Sequence, residues 1–282
     1  MTTDIKSLSG PKVVLMGLGG TGKTYALGTL VDWAAANKFE VAVLFTENGL
    51  ESLKGYWIDA NKPVPECLYW HQQVTRPISL KALMQTADSV GKLSYEALAK
   101  SVDSNRGGDN NAFWKILESC SDFKDDRTGK SLGPIDAFPL TRIFVIDSLT
   151  ELANAAMKMQ IGSRPMASPG DYGVAQNNLM NFLRLTTQGL VCPFVMTAHV
   201  DRETDAVTQS TKIMIKAIGK ALASEIPTLF SDVIYATREA DKFYWDTAAY
   251  GVDTKTRSLG IRSKINPDFS QIFNVWKKRS GL

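Results

Sequence analysis

The sequence predicts an α/β fold built on a largely parallel central sheet flanked by helices. Three observations carry that prediction. Short apolar runs of strand character alternate with helical patterns along the chain; the first run ends in a glycine-rich turn that opens a helix; and later runs end in acidic or polar residues, where a parallel sheet opens its ligand crevice. The strand candidates are Lys12–Met16, Glu40–Thr46, Cys67–Val74, Arg142–Ile146, Val191–Thr197, Asp232–Ala236, Lys242–Asp246 and Ser258–Lys264, the C-terminal ones expected to run antiparallel. Helical patterns cover Thr24–Ala36, Ser79–Val90, Ala112–Cys120, Leu149–Met159 and Val174–Thr187. In the last of these, Leu179, Phe182 and Leu183 fall at core spacing.

Between Lys54 and Pro139 the pattern is least regular. Pro63, Pro65, the turn cluster 105–110 and the loop 125–130 read as a decoration of the sheet, an insertion at about 54–139 within a single domain spanning 1–282. The tail after Trp276 is basic and is expected to fray.

Composition narrows the function classes. With 44% hydrophobic and 22% charged residues, the 282-residue chain reads as a globular protein, and it carries no apolar run long enough to span a membrane. Three scattered cysteines without metal spacing fit a reducing cytoplasm, and two histidines exclude a histidine-rich metal centre. The net charge of +3 lies entirely in residues 201–282, which hold 13 basic and 10 acidic side chains against 19 of each before them. That asymmetry is a modest pointer to an anionic partner.

The segment Gly17-Leu18-Gly19-Gly20-Thr21-Gly22-Lys23-Thr24 follows the apolar run Val13–Met16 and leads into a helix with Ala26, Leu27, Leu30, Val31 and Ala34 on one face. This is a phosphate cradle. Glycines let backbone N–H groups turn inward around an anion, and the helix N-terminus adds its partial positive charge. Gly17, Gly19, Gly20, Thr21 and Gly22 form the cradle and Tyr25 adjoins it. Lys23 reaches the β- and γ-phosphates, and the Thr24 hydroxyl can hold Mg²⁺. A nucleoside triphosphate, ATP, is the expected ligand.

The rest of such a site should lie on neighbouring strand ends. Asp147 closes the run Arg142–Ile146 and is the expected acid beside Mg²⁺, with Ser148 next to its water shell. An ordinary helix N-cap is the structural alternative for this position. Glu47, after the run Glu40–Thr46, is the expected general base, with Glu51 as competitor. His199, after Phe194–Ala198, is placed to sense the γ-phosphate, although a lone histidine is usually structural.

In this order the cradle, Thr-Glu-Asn, Val-Ile-Asp-Ser and Thr-Ala-His resemble the core of RecA-type recombinase ATPases, and the size and the Thr-Ala-His ending are most similar to the minimal phage single-strand annealing ATPases (the Sak-four group). The resemblance implies a RecA-like core and an ATPase that binds single-stranded DNA and promotes annealing or strand exchange. It also implies help from a single-strand-binding protein, work in the host cytoplasm for a phage-encoded member, and assembly of copies into a ring or filament with nucleotide at the interfaces. Gly219-Lys220-Ala221-Leu222 looks like the close of that family's second DNA-binding loop. Arg262 and Lys264, before Pro267, look like the pair that reaches a neighbour's γ-phosphate. About ten residues precede the first strand in this sequence, so no counterpart of the oligomerisation segment of bacterial RecA is expected.

For the nucleic-acid side, Lys212, Lys216 and Lys220 recur every fourth residue and form one basic stripe if the segment is helical. Its front half also carries Asp201, Glu203 and Asp205, and a plain solvated helix is the competing reading. Arg164, in the glycine- and proline-rich loop 161–170, is the other candidate DNA contact. Two alternatives stand beside recombination: a helicase, translocase or loader on the same fold, and an ATP-gated assembly protein without significant catalysis.

Overall fold

A computed structural model describes residues 8–74, 80, 81, 84, 87, 88, 111–162, 167–204 and 211–282. The central sheet takes strands β1 (Lys12–Gly17), β2 (Glu40–Phe45), β3 (Leu68–Gln72), β4 (Arg142–Asp147), β5 (Phe194–Ala198), β8 (Asp232–Glu239) and β9 (Lys242–Asp246) in the order β3-β2-β4-β5-β1-β8-β9. All neighbours run parallel except β8 and β9. Strands β6 (Val200–Thr204) and β7 (Thr211–Ile215) form a separate antiparallel hairpin.

The inner strands β1, β2, β4 and β5 are buried along nearly their whole length because both of their faces are covered. Val14, Met16, Ala42, Leu44, Phe144 and Ile146 point to one face, where they pack with helices α3 (Ala112–Ser121), α4 (Leu149–Ile161), α5 (Pro169–Arg184) and α6 (Lys220–Leu229). Val13, Leu15, Val41, Val43, Ile143 and Val145 point to the other, where α1 (Lys23–Asn37), α2 (Leu50–Ile58) and α7 (Ser270–Ser280) supply Leu27, Leu30, Trp57 and Phe273, joined by Phe269 just before α7. This alternation fixes register: a slip of one residue would exchange the two cores. Cys120 and Cys192 are buried, and burial pushes their thiols up to about 12 and about 11, which suits packing rather than reactivity.

Several expectations change. Ser258–Lys264 forms no strand; apart from the Thr247 N–H bond to Arg262 O (3.0 Å) and the adjoining bridge of Ile265 to Trp245, side chains hold that stretch. Asp232 Oδ1 accepts from Thr256 Oγ1 (2.9 Å) and from the N–H groups of Arg257 (2.9 Å) and Ser258 (3.1 Å), and Thr247 Oγ1 donates to Gly260 O at 2.7 Å. These anchors satisfy a backbone that Gly260 and Ser263 would weaken as a ladder. The tail does not fray at Trp276: α7 continues to Ser280, because Ile272, Phe273 and Trp276 are buried and Lys277 Nζ bonds Asn37 Oδ1 at 2.7 Å. Helix α5 begins at Pro169, five residues before its apolar pattern, because Ser168 and Asp171 form a capping box. Helix α6 contains Pro227, which obscured it in the sequence. The region read as an insertion contributes β3 to the sheet edge and α3 to one core. Most of the Ser79–Val90 helix pattern and all of the turn cluster 105–110 lie outside the described residues. No helix among the described residues is long and apolar enough to cross a membrane.

Candidate nucleotide site

The sheet order decides which strand ends meet. Register pairs Phe45 with Asp147, Ile146 with Met196, Leu15 with Thr197 and Met16 with Ala198, so β1, β5, β4 and β2 end in line. The acid was expected on a strand beside the cradle strand. It lies one further out, because β5 is inserted between β1 and β4, and the inserted strand supplies Thr197 to the acid.

Gly20 and Gly22 adopt φ of +73° and +78°, and Gly22 is packed so that a Cβ would meet the Phe243 ring at 3.0 Å. The left-handed turn and the ring together require glycine there. Lys23 is buried and its Nζ donates to the cradle carbonyls of Gly17 (3.0 Å) and Leu18 (2.8 Å). Burial holds this amine below the usual lysine range, opposed by the charges of Asp147 and Glu47. Thr21 Oγ1 donates to Leu18 O at 2.8 Å, which braces the turn.

Thr24 Oγ1 donates to Asp147 Oδ2 at 2.8 Å, and Thr197 Oγ1 donates to Oδ1. Asp147 is fully buried, and burial pushes its carboxyl above the usual carboxylate range despite both hydroxyls and Lys23. A cation placed beside it would favour its ionised form. Thr46 ties β2 to β4: its hydroxyl accepts from Ser148 N–H (2.9 Å) and donates to Ser148 O (2.8 Å). Ser148 Oγ is buried and makes no hydrogen bond of ordinary geometry, though it stands among the lesser causes that lower the Glu47 carboxyl. Thr24, Asp147 and this orphaned hydroxyl fit Mg²⁺ held largely by phosphate and water. Among the described residues no group of three or more His, Cys, Asp or Glu side chains could hold a metal alone. Gly49 packs against this pair; a Cβ would fall 2.5 Å from Asp147 Oδ2. Gly49→Ala is therefore expected to displace the carboxylate and lower kcat by roughly 10²-fold, since a misplacement of about 1 Å costs on that order; turnover assays beside circular dichroism check this.

Glu47 and His199 meet across the same cleft, with Glu47 Oε2 3.4 Å from His199 Nε2, both partly exposed. The hydrogen bond from His199 is the largest cause holding the Glu47 carboxyl below its ordinary value. His199 is fixed by its backbone: its N–H donates to Thr150 Oγ1 (3.1 Å), and its carbonyl accepts from Lys216 N–H (2.9 Å), at the base of the β6–β7 hairpin. Glu51 also lines the cleft but has no place in the Glu47–His199 pair.

The cleft has residues the sequence reading missed. Arg238 and Phe243, from the β8–β9 hairpin, line it together with Tyr25, with the Arg238 guanidinium 5.7 Å from the Phe243 ring centre. Tyr25 packs edge-on against Tyr56 at 5.1 Å. Thr46, Thr150 and Thr197 position the acid and the sensor. Thr46 and Thr197 stand at strand ends and Thr150 in the first turn of α4, where short hydroxyls can reach the backbone and carboxylate of a neighbouring strand.

The remaining expected residues are not brought to this cleft. Lys264 Nζ pairs with Glu239 at 2.6 Å and Arg262 Nη2 lies 3.4 Å from Gln271 Oε1, both exposed. The helical lysine stripe does not form: Lys212 lies in β7, Lys216 in the link after it and Lys220 at the first position of α6, because the segment folds back on Val200–Thr204 as a hairpin. Lys212 pairs with Asp253 (3.1 Å), Lys216 with Asp201 (3.9 Å) and Lys220 with Glu203. Arg164 lies outside the described residues.

The profile of the AAA domain family matches residues 9–262. No curated protein matches the chain. Among solved structures, a prototypical ATPase from the type III secretion system of pathogenic bacteria aligns with a TM-score of 0.38 and 14% identity, over 82% of this chain and 53% of that one. This chain thus spans about half the length of that ATPase.

Proposed function

From a chain that belongs to the AAA domain family, we propose a Mg²⁺-dependent ATPase whose turnover is coupled, through His199, to single-stranded DNA held for annealing or strand exchange. One observation carries the hydrolytic half: the Glu47–His199 pair at 3.4 Å opens onto the same cleft as Lys23 and Thr24. Glu47 accepts a proton from the attacking water as its oxygen bonds to the γ-phosphorus. The leaving β-phosphate oxygen takes the electron pair, and Lys23 neutralises charge along the β,γ-bridge. Mg²⁺ bound by Thr24 and Asp147 would supply further charge neutralisation on the phosphates. His199 holds Glu47 in place and, through its carbonyl bond to Lys216, links the site to the β6–β7 hairpin.

The DNA half rests on the resemblance and on the position of that hairpin after the sensor strand. Lys212, Lys216 and Lys220 are held in exposed ion pairs, and such pairs are worth about 0–1 kcal/mol, so phosphates can replace the carboxylates. Arg164 belongs to the same proposal. Arg262 and Lys264 act in trans on a neighbouring copy's nucleotide.

The test is ATP hydrolysis with and without single-stranded DNA, beside sizing with a non-hydrolysable ATP analogue. Stimulation by DNA and nucleotide-dependent assembly are expected. Arg262→Ala should bind ATP normally and lose DNA-stimulated turnover; full turnover in that variant would end the trans assignment. Directional strand displacement on a forked substrate would move the protein to the translocases.

A further inference from the structure

We infer a second anion site: Lys12, Lys255, Arg257 and Arg279 line one pocket at the end of the sheet opposite the phosphate cradle, and it accepts a phosphorylated ligand through its terminal phosphate. The pocket, of about 360 Å³, lies where β1 and β8 begin. Gly17 ends β1 five residue steps beyond Lys12, and at roughly 3.3 Å per residue that puts about 16 Å between the two sites.

The charge is concentrated and unbalanced. Asp232 is the acid lining the pocket, and it is already committed: Oδ1 accepts from Thr256, Arg257 N–H and Ser258 N–H, and Oδ2 from Ser231 Oγ. None of the four cations forms an ion pair within 4 Å among the described residues.

Like charges on a surface normally splay into water, but here main-chain carbonyls tie three of the four to the wall. Arg279 Nη1 donates to Arg257 O (3.0 Å), Lys255 Nζ to Thr228 O (3.0 Å), and Lys12 Nζ to Leu190 O (2.8 Å) and Cys192 O (2.6 Å). These bonds use few of the guanidinium donors, and two planar forks beside two ammonium groups suit a multiply charged phosphate.

Two further facts point the same way. Trp276 lines the pocket and is buried, and its Nε1 has no hydrogen-bond partner, an unusual state for a buried donor. Lys255 is held below the usual lysine range by burial and then by the charge of Arg257, so an arriving anion would relieve repulsion. The volume suits a nucleotide-sized ligand or the end of a strand.

The test uses Lys23→Ala protein, so that the cradle does not take up the probe, and titrates it with pyrophosphate by calorimetry at low and high salt. One site that weakens with salt is expected, and Arg257→Ala with Arg279→Ala should weaken it at least tenfold. The same double substitution with Lys23 intact should keep the ATP-induced rise in Tm, which shows that the fold and the first site survive. A 5′-phosphorylated oligonucleotide binding tighter than its unphosphorylated twin names a strand end as the source. Equal binding of the twins beside tight pyrophosphate names a free phosphorylated molecule. No pyrophosphate binding to Lys23→Ala, or equal binding to the triple variant, overturns the site.

Discussion

Lys23→Ala should lower kcat by about 10²–10³-fold or more, the loss that follows removal of one preorganised charge-stabilising donor. The expectation follows from what the amine does in each state. In the folded chain its Nζ is buried against the carbonyls of Gly17 and Leu18, and burial already holds it below the usual lysine range. A desolvated cation held only by carbonyls contributes little to stability, and its value appears when phosphate charge develops beside it. Without nucleotide, Tm should therefore move by no more than about 4 °C. With ATP the two proteins should diverge. Saturating ligand at about 100 times Kd stabilises the parent by about 2.7 kcal/mol, and the variant should lose most of that rise. A variant that hydrolyses ATP at a rate within threefold of the parent would mean that the cradle holds a ligand but does no chemistry.

The cradle was legible because its chemistry is local. A strand, five residues of turn and a helix start are contiguous, and the glycines that permit the turn also mark it. Asp147, Glu47 and His199 were legible for a related reason: each stands at the end of an apolar run, and a parallel sheet brings such ends to one edge. What the sequence withheld is non-local. Nothing in the residues around Asp147 says that Thr197, fifty positions away, will donate to it, or that Thr46 will brace the following peptide across 102 positions. Arg238 and Phe243 reach the cleft only because β8 pairs with β1 and turns back as β9. The basic stripe failed for a different reason. A four-residue repeat of lysine fits a helix, yet Val200–Thr204 offered the same segment a strand partner, and the pairing of Ile213 and Ile215 toward the core outweighed the helical period.

Glu47→Gln should leave ATP affinity nearly unchanged and reduce kcat by about 10²–10⁴-fold, the range for removing a positioned general base. The pH dependence separates this role from a structural one. In the parent, the hydrogen bond from His199 holds the Glu47 carboxyl below its ordinary value, so the base stays ionised and active to lower pH than a free glutamate, whose pKa is about 4.3. Turnover should fall only as pH drops through that lowered value. His199→Ala removes the largest cause of the lowering and exposes the opposing effect of burial, so the acid limb of the kcat profile should shift to higher pH while Lys23 and Thr24 still hold nucleotide. The stability sign agrees. A carboxyl lowered on folding stabilises the protein above its unfolded pKa and loses that contribution as pH falls through the folded one. Unfolding of parent and Glu47→Gln should therefore differ at pH 7 and converge in acid. Retention of turnover by Glu47→Gln would pass the base role to Glu51, which lines the same cleft from α2. An acid limb that His199→Ala leaves in place would show that the 3.4 Å pair does not set the base's ionisation.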